Sequence, residues 1–134
     1  MPIVIEPSAV VAMFKEEPGC DQFWRVVRSE ENLALPVSCY VESVMTLRAF
    51  PNARRWIDAF IGSYEIELLS FDPSQARLAA DAFERFGRGS GHPARLNFGD
   101  CLAYAAARIL DAPLLFKGGD FAQTDIRPAP AAGA

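Results

Sequence analysis

The stretch Pro2-Ile3-Val4-Ile5-Glu6-Pro7-Ser8-Ala9-Val10-Val11-Ala12-Met13-Phe14-Lys15 decides the fold. Residues 2–5 are wholly apolar and rich in β-branching, which is how a strand buried on both faces of a parallel sheet reads. Glu6 ends that run, and Pro7 suits the first turn of a helix. The Ala- and Val-rich residues carry that helix to Lys15, before Pro18-Gly19 stops it. Because Glu6 precedes a proline, its backbone is pushed towards the extended region, so the acid is aimed off the strand tip. In open parallel sheets that end is where ligands gather.

The same alternation repeats along the chain. Cys20, Phe23, Trp24 and Val27 recur at helical spacing, and Leu33-Ala34-Leu35-Pro36 reads as a second strand. Ser38 is placed to cap a helix through Val41, Val44 and Leu47 to about Phe50, and another helix surrounds Trp56 and Phe60. Glu65 to Phe71 holds a third strand. Asp72-Pro73-Ser74-Gln75 then starts a helix with Asp as cap and Gln set to close a capping box, continued by Ala76, Ala79, Phe83 and Phe86 on one face. Asn97 caps a helix whose expected core face is Phe98, Cys101, Leu102, Ala105 and Ile109. Pro113 to Phe116 is a fourth strand, followed by a Gly118-Gly119 turn and a helical turn within Phe121 to Asp125. Short apolar strands between helices predict an α/β fold, an α/β/α sandwich around a short, mainly parallel sheet of four to five strands. With no repeat and no linker, residues 1–128 are expected to form a single domain and 129–134 a flexible, small-residue tail.

Composition narrows the function. Of 134 residues, 51 % are hydrophobic, enough for a core without staples. Thirteen Lys and Arg against 17 Asp and Glu leave a net charge of −4, which speaks against nucleic-acid binding through bulk charge. The three cysteines, Cys20, Cys39 and Cys101, are far apart and fit neither a disulfide framework nor a zinc knuckle, so a reducing cytoplasm is expected. No apolar run approaches the roughly 20 residues of a membrane span, and the first residues do not read as a signal peptide. The single histidine, His92, leaves triads and multi-histidine metal sites without their imidazoles. Carboxylates are then the groups left to do chemistry.

Position relative to the strand ends sorts the acids. Glu6 directly follows the first strand. Glu42 lies one turn into the helix after the second, four residues beyond Ser38, and so outside the three-residue spacing of a capping box. Asp100 sits in the first turn of a very apolar helix, where the helix dipole favours an anion. Asp120 follows the fourth strand, although Asp120-Phe121-Ala122-Gln123 also has the form of a capping box. Asp72 is explained by its own cap, and Asp125 reads as a turn residue. A parallel sheet brings Glu6, Glu42, Asp100 and Asp120 to one edge, where unaided they would repel and take up protons. A divalent cation removes that conflict. All-oxygen ligation favours Mg2+ or Mn2+, which suits water attack on a phosphodiester.

Gly87-Arg88-Gly89-Ser90-Gly91 lacks the lysine and the preceding strand of a phosphate loop and reads as a flexible loop. From Arg85 to Asn97 the chain carries Arg85, Arg88, Arg95 and His92 and no acid, the one basic stretch suited to a phosphate backbone. Ser8 either caps the first helix, the default, or donates to a carboxylate. His92 reads as a loop residue, and Trp24 and Trp56 as core or dimer contacts.

On these residues the chain resembles the PIN-domain ribonucleases, above all the VapC toxins of bacterial toxin–antitoxin pairs. The resemblance lies in Val4-Ile5-Glu6-Pro7-Ser8-Ala9-Val10-Val11-Ala12, in Ser38 to Glu42, and most specifically in His92 to Ala105 with Leu114 to Ile126. It implies a PIN-like sandwich and RNA cleavage with Mg2+ or Mn2+. Glu6, Glu42, Asp100 and Asp120 would be the metal-binding, catalytic set, with Ser8 and Asn97 as supporting residues. It also implies a homodimer held inactive by a cognate VapB-type antitoxin, in a heterotetramer or larger complex; no membrane partner is expected, given the lack of an apolar span. The chain departs from the family where Glu6 replaces Asp and Pro7 a common Thr. That departure keeps open a second reading, a weakened or inactive PIN homologue that binds RNA or a partner. A receiver-like phospho-acceptor fits less well, since only the capping Asp72 follows the third strand.

Overall fold

The computed structural model describes residues 2–133, and the strands expected from the sequence all run parallel in it. β1 (Ile3–Ile5) and β2 (Leu33–Pro36) lie inside; β3 (Glu67–Leu69) and β4 (Leu114–Leu115) flank them in the order β3-β2-β1-β4. Val4 pairs with Ala34 on one side and Leu114 on the other. Val4, Ile5, Leu35, Leu114 and Leu115 have no solvent exposure, which is why these strands are unbroken apolar runs instead of alternating ones. β3, on the edge, leaves Glu67 and Leu68 exposed and is shorter than the Glu65 to Phe71 run.

Six α-helices connect the strands among the described residues: α1 (Pro7–Phe14), α2 (Cys20–Ser29), α3 (Val37–Thr46), α4 (Ala53–Ser63), α5 (Pro73–Phe86) and α6 (Phe98–Leu110). α1 packs on α2, α3 and α4, whereas α5 packs on α6, which also touches α3. These are the groups that right-handed crossovers send to opposite faces of the sheet. Trp24 and Trp56 lie in an aromatic cluster with Phe14, Phe50, Phe60 and Tyr64 that ties α1, α2 and α4 together, with the Trp56 and Phe60 rings stacked at 5.3 Å.

Several expectations are corrected. Ser38 is not a cap: β2 runs directly into α3, Pro36 occupies the cap position, and the helix ends at Thr46, short of Phe50. At α5, Asp72 accepts from the Gln75 N–H at 2.9 Å, but the Gln75 amide turns away to the Ser70 carbonyl and leaves the box half closed. The expected core face of α6 holds only in part: Cys101 and Ala105 are buried and Leu102 is half-buried, but its two ends turn outward. Phe98 is 79 % exposed and Ile109 44 %, while Ala103, Ala105, Ala106 and Ala107 are buried. Alanines let the helix approach its neighbours closely, and Phe98 and Ile109 are left outside while Tyr104 is buried. Phe83 of α5 and Val41 of α3 are exposed in the same way.

The loop after α5 is tied, not open. Its ends bond through Arg88 N–H to the Leu96 carbonyl and Leu96 N–H to the Phe86 carbonyl. Ser90 donates to the Gly87 carbonyl at 2.6 Å, and His92 Nδ1 accepts from the Ala94 N–H at 3.1 Å. The tail over 129–133 is also held. Ala129 is buried, its N–H donates to the Leu114 carbonyl, and Gly133 N–H reaches the Phe116 carbonyl at 2.7 Å. Composition alone predicts a flexible tail; the open edge of β4 supplies backbone partners for it. Ala134 lies outside the described residues. Among those residues no helix is long and apolar enough to cross a membrane.

Candidate functional site

β1 leaves the sheet towards β2, and β4 comes in on its other side, so the crevice between the ends of β1 and β4 is the switch point of the topology. Glu6 opens that crevice, with its N–H bonded to the Leu115 carbonyl at 3.0 Å. Its side chain turns back as the cap of α1, and Oε2 accepts from the Ser8 N–H at 2.8 Å and from the Ser8 hydroxyl. The same hydroxyl accepts from the Lys117 N–H at 2.8 Å. Ser8 therefore does not cap the helix; it fixes the Glu6 carboxylate and stitches the exit of β1 to that of β4.

Asp100 is set at the third position of α6 by a closed capping box. Asn97 Oδ1 accepts from the Asp100 N–H at 2.8 Å, and Asp100 Oδ2 accepts from the Asn97 N–H at 3.0 Å. Glu42, half-buried on α3, extends to the first turn of α6, with its carboxylate against Gly99. Asp120 is exposed beyond β4 and heads a single 3-10 turn (Phe121–Gln123) without capping it, so the capping-box reading of this residue falls away.

The acids sense one another. Burial pushes Glu6 up to about 7 even though both Ser8 bonds pull it down, and the charges of Asp100 and Glu42 push it further. Burial and then the Asp100 charge raise Glu42. Asp100 is raised by burial, lowered by its Asn97 bond, raised by Asp120 and lowered by Arg88. Glu6, Glu42, Asp100 and Asp120 thus share one electrostatic neighbourhood. Cys39 is buried beneath it, its thiol raised first by desolvation and then by Glu6 and Glu42.

Among the described residues no three or more Asp, Glu, His or Cys side chains are placed so that they could hold a metal ion together. The donor set, though not a closed geometry, has the chemistry of sites for a hard divalent ion. It is all oxygen, it gathers at one edge, and three of its carboxyls are held above their usual range, a strain that a bound cation would relieve.

Of the three arginines, Arg88 faces this neighbourhood through Asp100. Arg85 is drawn away, 3.6 Å from Asp125 and over the Phe86 ring at 4.6 Å. Arg95 is exposed on the loop in left-handed backbone, with φ 51°. The sequence reading missed two contributors. One is Gly99, whose signal was a glycine inside a helical pattern. The other is the backbone of Lys117, which carried no signal.

Comparison with known proteins gives a consistent relationship. The family described as PIN domain matches residues 3–127. The chain is 41 % identical over 129 residues to ribonuclease VapC42 of Mycobacterium tuberculosis, covering 95 % of this chain and 98 % of that one. In fold it is similar to a structure of VapBC2 from Rickettsia felis bound to a promoter DNA fragment, with TM-score 0.78, 12 % identity, and 96 % and 98 % of the two chains covered. It is equally similar, at TM-score 0.78, to Mycobacterium tuberculosis VapC20, a toxin that cleaves the sarcin-ricin loop, with 16 % identity over 96 % and 98 % of the chains.

Proposed function

The chain belongs to the PIN domain family, among the VapC ribonucleases, and on that premise we propose that it is a metal-dependent endoribonuclease, the toxin of a VapBC-type pair. The observation that carries this reading is the shared field of Glu6, Glu42, Asp100 and Asp120 at the switch point. Bound there, Mg2+ or Mn2+ supplies polarisation of the phosphodiester and activation of water for in-line attack.

The chain's own residues prepare that step. Ser8 holds Glu6 by two bonds to one oxygen, and the Asn97 box locks Asp100. Glu42 reaches across from α3, and Asp120 stands at the exposed rim, where substrate enters. Arg88, whose charge lowers Asp100, would meet the RNA phosphate, with Arg95 and Arg85 further along the same basic segment. The binding-module reading prompted by Glu6 gains no support. This residue stays buried among the other acids, and the curated relatives are named ribonucleases.

A second copy fits the apolar face formed by Val37, Val41, Phe71, Phe83, Phe98 and Leu102, over two adjoining grooves of 480 and 390 Å3. Exposed apolar area of this kind marks an interaction surface, and a homodimer would cover it. The third partner is a cognate antitoxin, as in the VapBC2 assembly. The three free, buried thiols suit a reducing cytoplasm.

The test is cleavage of structured RNAs by the antitoxin-free protein with Mn2+ or Mg2+, beside Asp100→Asn. The variant keeps an oxygen for the Asn97 N–H, so it should fold and lose at least about a hundredfold in rate. Cleavage that survives the substitution contradicts the assignment.

A further inference from the structure

Gly99, the second residue of α6, is not among the glycines with positive φ, so nothing in its backbone calls for glycine. At a helical position of this kind alanine is the better helix former. What the position does require is empty space. A Cβ placed on Gly99 would lie 2.7 Å from Glu42 Cδ and 3.3 Å from Oε2, and closer still to Oε1. All three of these nearest atoms belong to one carboxylate at the end of a flexible side chain. The contact at Gly87 is of another kind, because a Cβ there would press on the Phe83 backbone oxygen at 2.5 Å. A side chain at 87 collides with the fold's backbone, whereas the nearest atoms a side chain at 99 would meet are those of the Glu42 carboxylate.

We infer that Gly99 is a positioning residue: its missing side chain is what lets the Glu42 carboxylate lie against the first turn of α6, beside Asp100. The clash created by a methyl group at 99 is relieved by swinging Glu42 outward, with the helix left in place. That motion takes one carboxylate away from the group and away from the positive end of the α6 dipole, which favours its anion. The glycine therefore serves the site, not the fold, at the expense of helix propensity. This inference deepens the metal-site reading above and rests on it for its consequence in metal affinity.

The test compares wild type, Gly99→Ala, Glu42→Asp and the double variant, with Gly87→Ala as a structural control. In metal-free buffer Gly99→Ala should melt at or above the wild-type temperature, and Gly87→Ala below it. Mn2+ affinity, followed by the electron paramagnetic resonance of free Mn2+, should fall about 10- to 100-fold in Gly99→Ala. In the Glu42→Asp background, where the shorter side chain has already withdrawn, the same substitution should change affinity less than about threefold. A metal-free crystal structure of Gly99→Ala should show the Glu42 carboxylate displaced. Wild-type Mn2+ affinity in Gly99→Ala, an equal loss in both backgrounds, a lowered melting temperature, or an unmoved Glu42 would each overturn the inference. If the wild type binds no Mn2+, it is the metal-site reading that fails, while the position of Glu42 in the metal-free crystal still decides the role of Gly99.

Discussion

Replacing Glu6 by Gln should make the metal-free protein more stable, and increasingly so as pH rises. In the native state Glu6 ionises at about 7, against an ordinary 4.5, because it is buried beside Asp100 and Glu42. Between those values the unfolded chain has released this proton and the folded chain still holds it. Stability therefore falls as pH rises through that window, and the loss is complete just above pH 7. At about 1.4 kcal/mol per pH unit, the buried anion costs the native state about 3 kcal/mol. For a chain of this length that corresponds to roughly 10 °C in melting temperature. Gln mimics the protonated acid and keeps an oxygen for both Ser8 donors. Thermal melts of the two proteins in a chelator, from pH 5 to 8, should nearly coincide at the acid end and diverge by about that amount at the other. Glu42 and Asp100 are raised in the same direction, but they are present in both proteins and largely cancel in the difference. Saturating Mn2+ should close the gap by stabilising the wild type at pH 8. Parallel curves, or a gap that narrows with rising pH, would refute the placement of a repelled, buried carboxylate at this point.

Three further substitutions probe the surroundings. Glu6→Asp retains a cap for α1, shortens the side chain by about 1.5 Å to the family's length, and should raise nuclease activity; equal activity across a metal titration counts against it. Ser8→Ala strands the Lys117 N–H and removes a bond that lowers Glu6, so urea unfolding should show a loss of about 1–3 kcal/mol that grows towards pH 8. An unchanged midpoint at pH 8 would contradict that bridge. Ending the chain at Pro128 removes two backbone bonds to β4 and its exit and a buried Ala129, which should cost about 2 kcal/mol; wild-type melting would mean the tail does not protect that edge.

The parts of this molecule that were legible in its sequence are those fixed by local chemistry. β1 and β2 are apolar at every position because both faces are covered, and Glu6 stands out because an acid before proline interrupts such a run. The parallel topology then brings distant acids together with no further information from the chain. Periodicity places Cys101 and Ala105 of α6 in the core correctly, but it puts the exposed Phe98 and Ile109 on the same buried face. The spacing of Phe98, Leu102 and Ile109 shows that they share a face, not whether that face meets the sheet or a partner. The buried side is mostly alanine, with Cys101 and Tyr104, and alanines are what a hydrophobic pattern underweights. Asn97 and Asp100 stand three apart, the spacing of a capping box, a local signal beside the helix dipole and the proposed metal role of Asp100. Asp120 carried a cap signature that a single 3-10 turn does not use. The order of the tail and the role of Gly99 depend on partners more than ten residues away, on the β4 edge and on Glu42, and no local pattern encodes them.

The central claim is that these four carboxylates are assembled to hold a divalent ion for RNA cleavage. Crystals grown with Mn2+ and measured at its absorption edge test it most directly. An anomalous peak within coordination distance of Asp100 and at least one of Glu6, Glu42 and Asp120, lost in Asp100→Asn together with cleavage, is the predicted result. Cleavage-competent protein that shows no peak there at saturating Mn2+, or shows one only elsewhere, would contradict it.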